Sequence, residues 1–265
     1  QLKRKKEIMN IFKRIYDYRE LLKTSIKKDI GGKYKNSFLG VLWSFVNPLL
    51  QILVYAIIFP LIMKSDIENY VVFMVCGLIP WNYFSTVINR ASFVMIENGN
   101  IIKKVYFPRE ILPLSLVTSE TVTFLISSIL ILLFTFGYGL GLTVNILFYP
   151  LVLLVQFVLL LGISLFVSSI TVYFRDLQHF IGVLLQLFFY ATPIVYAVDV
   201  IPENFRWILN LNPMTYIIEG YRDIFWGQTT PNIMTLLIVL GIGILLCITG
   251  YFVFNKLQKK FAEEL

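Results

Sequence analysis

Six long apolar stretches run through this 265-residue chain, and the positive charges between them fall almost entirely in alternate gaps. The stretches cover residues 39–63, 70–94, 111–136, 146–173, 180–198 and 233–254. Each comes close to or exceeds the ~20 residues a helix needs to cross a hydrocarbon core about 30 Å thick. Of 23 Lys and Arg, 12 precede residue 36, four lie at 90–109, one is Arg175 and three follow residue 254. Lys64, Arg206 and Arg222 account for the remainder. Basic residues accumulate in cytoplasmic loops. The count therefore predicts an all-α membrane protein with six transmembrane helices and both termini in the cytoplasm.

Composition agrees. Hydrophobic residues make up 57 % of the chain and charged residues 15 %, and the mean hydropathy is +0.75. A soluble domain of this length could not hide so much apolar surface. The pI near 9.3 raises the question of nucleic acid, but the basic residues flank spans and form no single interleaved patch. Contact with membrane lipid head groups explains them, and no nucleic acid partner is expected. Cys76 and Cys247 lie inside apolar stretches without CxxC spacing and read as small hydrophobes. A charged segment of about 35 residues precedes the first apolar run, so no cleavable signal peptide is expected.

Two segments depart from plain spans and loops. Residues 1–35 place Ile8, Ile11, Phe12, Ile15, Arg19 and Leu22 at helical spacings, opposite Lys5, Lys6, Lys13 and Lys23. This predicts an amphipathic interface helix on the cytoplasmic membrane surface, either an electrostatic anchor or a working contact, ended by Gly31 and Gly32. Residues 36–265 then read as one membrane domain. Within it, 197–231 is too apolar for an ordinary loop. A short helical pattern runs from Pro202 through Phe205, Ile208 and Leu209, breaks at Asn212 and Pro213, and resumes through Tyr216, Ile217, Gly220, Tyr221 and Phe225. Neither piece can span, so two short external re-entrant helices packed on protein are expected before the last span. Gly77 and Pro80 interrupt the second stretch, as at a kink or an entry to a polar cavity.

Catalytic chemistry is missing. No G-x-x-x-x-G-K-[ST] loop, GxSxG elbow or HExxH occurs, and His179 is the single histidine. No metal site and no enzyme activity are expected, and His179 reads as solvated. Uphill transport would draw on a partner or an ion gradient. Glu120 lies nine residues past Ile111, roughly 13 Å along a helix. Proton relays use several intramembrane acids, so a structural pair with Arg90 or Arg175 is favoured. In the gap at 97–109, Asn100 can cap a short helix that Pro108 ends, projecting Ile101, Val105, Lys103 and Lys104. Turning the chain requires neither a helix nor exposed apolar residues, which favours docking.

Residues 33–49 (KYKNSFLGVLWSFVNPL), 77–81 (GLIPW), 173–177 (YFRDL), 190–196 (YATPIVY) and 212–214 (NPM) resemble, in order, the permease subunits of ABC-2 type polysaccharide exporters. The likeness covers the chain from about residue 30 onward. It implies a homodimer in the plasma (bacterial inner) membrane, joined by two separate ATPase subunits. Those subunits, and not this chain, would bind ATP and Mg. The expected substrate is a lipid-linked polysaccharide such as O-antigen, teichoic acid or capsule. The resemblance makes residues 98–107 a coupling helix for the ATPase, with Asn100, Ile101, Lys103, Lys104, Val105 and Tyr106 as contacts. It makes the two short helices an external gate carrying Arg206, Glu219, Arg222 and Asp223, with Glu203 also close. Sugars stack on aromatic rings, so Trp43, Trp81, Tyr83, Phe84, Phe188, Phe189 and Tyr190 are candidates for a channel at the dimer interface. Arg175 pairs with Asp176 or, with Lys33 and Lys35, meets the pyrophosphate of a lipid carrier. The alternatives are an ABC-2 exporter of a drug or lipid, an ion-coupled carrier, or a membrane scaffold.

Overall fold

A computed structural model describes residues 16–34, 38–63 and 67–265. Most of the expected amphipathic stripe, Lys35 and Lys64 lie outside the described residues. The elements are α1 (Arg19–Tyr34), α2 (Trp43–Met63), α3 (Tyr70–Ala91), α4 (Val94–Glu97), α5 (Gly99–Lys104), α6 (Ile111–Ser127) and α7 (Ile129–Gly137). They continue with α8 (Tyr149–Ile170), α9 (Leu177–Tyr190), α10 (Arg206–Leu211), α11 (Pro213–Phe225), α12 (Ile233–Leu257) and α13 (Phe261–Glu264). No strand occurs among the described residues.

Among the described residues five helical runs are long and apolar enough to cross a membrane: Trp43–Leu61, Tyr70–Ala91, Ile111–Gly137, Val144–Ile170 and Ile233–Glu264. The second has 78 % of its apolar window buried and the first only 11 %. That difference makes α3 the axis of the bundle and leaves Leu50, Leu53, Ile57 and Leu61 of α2 facing outward. Pro80 sits inside α3 without ending it.

The fifth apolar stretch differs from expectation. Helix α9 covers 14 residues, about 21 Å at 1.5 Å per residue, and stops at Tyr190 instead of continuing to residue 198. Pro193 has no N–H to donate and disfavours helical backbone at Thr192, so the chain leaves the helix in a buried turn through Tyr196. Helix α1 differs in the other direction: it passes through Gly31 and Gly32 and ends at Tyr34. Packing along α6 supplies what those residues lack in intrinsic helix preference.

Helices α8 and α12 meet backbone to backbone. A Cβ at Gly162 would stand 2.7 Å from the Leu246 side chain and 2.8 Å from the Cys247 nitrogen; one at Gly243 would stand 3.0 Å from the Leu159 nitrogen. Lipid-embedded helices lack a hydrophobic drive to associate, and small residues let them gain dispersion contacts by close approach.

At one end of the bundle α1, the 92–110 segment, the turn at 171–176 and the C-terminal segment converge. Tyr173 OH donates to the Leu257 carbonyl at 2.8 Å, the Gln178 amide to the Ser92 carbonyl at 3.1 Å, and Arg109 to the Gln258 carbonyl. This end carries the basic residues of α1, α5 and the α12 terminus. At the opposite end Trp226 Nε1 donates to the Glu68 carbonyl at 2.8 Å, and the Asn145 amide to the Gln228 carbonyl at 2.8 Å.

The 197–231 segment holds two short helices, α10 and α11, joined at the expected break. Pro213 opens α11, and the Asn212 side-chain oxygen accepts from the Met214 N–H at 3.0 Å, a standard N-cap. The Asn212 amide donates to Thr192 Oγ1 at 2.7 Å, fixing this break beside the end of α9.

Gly162→Val should cost about 1–3 kcal/mol or more by overpacking, read as a lowered melting temperature and poor yield in detergent. Gly241→Ala, where an added Cβ meets nothing within 4 Å, should leave both unchanged.

Candidate functional site

Three apolar helices turn a polar face toward one another on the basic side of the bundle. Trp43, Asn47 and Gln51 recur about one turn apart on α2, Asn82 and Thr86 on α3, and Glu120, Thr123 and Ser127 on α6. Together they line a cavity of about 470 Å³. Its shape begins with Pro48. Lacking an N–H, Pro48 cannot bond the Ser44 carbonyl one turn earlier, and Ser127 Oγ of α6 donates to that carbonyl at 3.1 Å. Across the cavity the Asn82 amide donates to Gln51 Oε1 at 2.8 Å. Tyr83 OH shares a 2.7 Å hydrogen bond with Thr121, and the Tyr83 ring stacks on Phe124 with centroids 5.0 Å apart.

A balanced charge cluster closes the basic end of this cavity. Glu120 is 3 % exposed. Lys33 Nζ of α1 donates to its Oε2 at 2.6 Å, and Arg90 of α3 to its Oε1. Asp29 of α1 lies 4.0 Å from the Arg90 guanidinium. Burial raises the Asp29 carboxyl above its ordinary range, against the opposing pull of Arg90. Of the two partners expected for Glu120, Arg90 pairs with it, while Arg175 bonds elsewhere; Lys33, read from sequence as a phosphate ligand, is its second partner. One further bond, Lys28 Nζ to Asn98 Oδ1 at 3.4 Å, ties α1 to the start of α5.

A second space of about 700 Å³ lies between α2, α3 and α9 and shares Thr86 with the first. Its wall is aromatic on one side and polar on the other, where Ser85, Asn89, Arg90 and Gln186 line it. Phe189 stands 5.8 Å from Trp81, 6.0 Å from Tyr55 and 5.3 Å from Tyr190, centroid to centroid. The seven aromatic candidates thus separate. Trp43 and Tyr83 line the first cavity; Trp81, Phe189 and Tyr190 line the second. Phe84 is buried against Trp81, and Phe188 lines neither of these two spaces.

On the basic end, Asn100, Ile101, Lys103, Lys104, Val105 and Tyr106 are all exposed, Tyr106 to 95 %. Ile102 and Phe107 turn inward onto Met95, Phe254 and Phe261. The helix starts at Gly99, with Asn98 in place of the expected Asn100 at its boundary. Arg175 is exposed and donates to the Glu264 carbonyl at 3.4 Å, and not to Asp176. His179 is exposed, as expected. Among the described residues no cluster of His, Cys, Asp and Glu could hold a metal ion.

The cations near the opposite end behave differently. Arg206 donates to the Ile201 carbonyl at 3.1 Å and lies 3.9 Å from Asp199, so Asp199 takes the place expected for Glu203. Arg222 is 5 % exposed. It donates to the Ile194 carbonyl at 2.8 Å and the Phe73 carbonyl at 3.3 Å, with its guanidinium 3.5 Å above the Phe73 ring. Sequence placed it beside Glu219 and Asp223; both are half-buried neighbours on its own helix. Asn47, Gln51 and Asn82 escaped sequence reading, although polar residues one turn apart inside apolar helices are a detectable signal.

The ABC-2 type transporter family model matches residues 20–226. An O-antigen export system permease protein RfbA of Klebsiella pneumoniae is 40 % identical over 247 residues, covering 93 % of this chain and 95 % of the relative. The RfbA of Myxococcus xanthus is 32 % identical over 260 residues, covering 97 % of this chain and 100 % of the relative. The polysialic acid transport protein KpsM of Escherichia coli is 26 % identical over 200 residues, 72 % of this chain and 74 % of the relative.

Removing the carboxylate in Glu120→Ala should take from Lys33 its ion-pair partner and leave Arg90 with the more distant Asp29, costing about 3 kcal/mol. Adding Lys33→Met should recover part of that loss, as measured by thermal unfolding of the purified protein in a double-mutant cycle.

Proposed function

The chain belongs to the ABC-2 type transporter family, and on that premise we propose that it is the permease subunit of an ATP-driven polysaccharide exporter. The substrate is a lipid-linked glycan carried from the cytoplasm across the bacterial inner membrane. The observation that carries this reading is likeness over nearly the whole chain to permeases whose names state O-antigen export. The positive-inside rule assigns the basic end to the cytoplasm and both termini with it.

Two copies assemble, and the aromatic space between α2, α3 and α9 contributes to a channel where they meet. Trp81, Phe189 and Tyr190 offer flat faces to sugar C–H groups. In this reading α9 and the buried turn after it complete a sixth crossing, and α1 lies along the cytoplasmic interface. Helices α10 and α11 form the external gate. Arg206 is held at its rim by Asp199 and Ile201, Glu219 and Asp223 lie along α11, and Arg222 hinges α11 to α3. Arg175 is the exposed cation available to a carrier pyrophosphate, with Lys33 reaching one only by leaving Glu120.

ATP and Mg belong to two partner ATPase subunits. The exposed Ile101, Val105 and Tyr106, rimmed by Asn100, Lys103 and Lys104, form the contact through which each partner pushes. An apolar centre with a polar rim is the ordinary anatomy of such a contact.

Undecaprenyl-linked glycan should stimulate ATP hydrolysis by the reconstituted permease–ATPase complex, whereas stimulation by amphipathic drugs alone would favour a drug exporter. Ile101→Asp combined with Val105→Asp should reduce the stimulated rate at least tenfold while the permease alone melts as before; an unchanged rate would remove this segment from the contact.

A further inference from the structure

We propose that the cavity between α2, α3 and α6 is a carbohydrate subsite inside each protomer, holding one or two neutral sugar residues of the exported glycan. The inference rests on the polysaccharide reading and adds a second location, which adjoins the aromatic space at α9 through Thr86.

Its size, about 470 Å³, falls within the roughly 300–1,000 Å³ of small-ligand sites. Polar side chains inside apolar helices are costly and usually cluster where they are used. Here Asn47, Gln51, Asn82 and Thr86 surround open space instead of filling it. The Asn82–Gln51 bond uses one amide hydrogen and one carbonyl oxygen. It leaves the Gln51 amide nitrogen to donate and the Asn82 oxygen to accept, the pairing a sugar hydroxyl satisfies in both directions. Trp43, 38 % exposed, supplies an aromatic face beside Asn47.

Charge decides between sugar and phosphate. The charged groups lining the cavity are Lys33 and Glu120, and they neutralise each other at 2.6 Å. An anion would meet the Glu120 carboxylate and find its cation already engaged. A neutral hydroxylated ring meets no such repulsion.

The test uses the intact permease–ATPase complex in lipid nanodiscs. Its probe is a set of oligosaccharides released by mild acid from the host's own exported polymer, with binding followed by tryptophan fluorescence. The wild-type complex should bind saturably, and the Gln51→Leu, Asn82→Leu double variant at least tenfold more weakly while still co-purifying with the ATPase. Unchanged affinity in the double variant would overturn the subsite and leave the exporter reading standing. Absence of binding to wild type, with no ATPase response to the lipid-linked polymer, would overturn both. Should the double variant fail to assemble, Asn47→Cys decides: the oligosaccharide should slow its labelling by a soluble maleimide at least tenfold. No slowing, or equal slowing by inorganic pyrophosphate, would overturn the assignment.

Discussion

In hydrocarbon, every interrupted backbone hydrogen bond must find a partner within the protein, and this bundle is organised around its interruptions. Pro48 releases the Ser44 carbonyl, which Ser127 bonds from α6. Beside Pro80, whose missing N–H frees the Cys76 carbonyl one turn earlier, the buried Gln156 of α8 donates to the Pro80 carbonyl at 2.9 Å and accepts in turn from Tyr221 OH of α11 at 3.1 Å. The turn after α9 presents the Ile194 carbonyl to Arg222 and the Val195 carbonyl to Tyr70 OH at 2.7 Å. A polar side chain from another helix thus stands at each irregularity. Those pairings, together with the glycine contact of α8 and α12, set which helices are neighbours.

The same logic operates at the basic end, with charges in place of carbonyls. Glu120 accepts from cations of two different elements, so α1 and α3 cannot separate from α6 without leaving a buried carboxylate unmatched. Lys28 extends the link to Asn98, directly before the exposed α5. The surface assigned to the ATPase and the floor of the polar cavity are therefore joined by one helix, α1, through side chains only five residues apart, Lys28 and Lys33. A shift of α1 under load acts on both.

Much of this was legible in the residues. Apolar run lengths located the five long helices, the Asn212–Pro213 break separated α10 from α11, and Arg90 was one of the two partners expected for Glu120. Hydropathy, however, sums residues without asking whether a backbone is satisfied. It therefore extended α9 through Pro193, where local geometry stops the helix and a distant arginine makes the stop tolerable. Gly31 and Gly32 misled for the opposite reason, because packing of α1 on α6 overrides weak local preference. Arg222 looked like a gate charge facing nearby acids. Its carbonyl partners lie 28 and 149 residues away, a separation that periodicity does not encode. Gln51 and Asn82 were visible as polar residues, but only the fold sets them opposite one another.

In the six-crossing arrangement proposed above, the shortness of α9 also acts on the surrounding lipid. A helix of about 21 Å with Val183 and Leu187 facing outward cannot match an acyl layer about 30 Å deep. Lipids against that flank must compress or tilt, at a fraction of a kcal/mol for each ångström. That arrangement puts a dimple in the bilayer beside the aromatic wall, where the greasy barrier to a hydrophilic chain is thinnest.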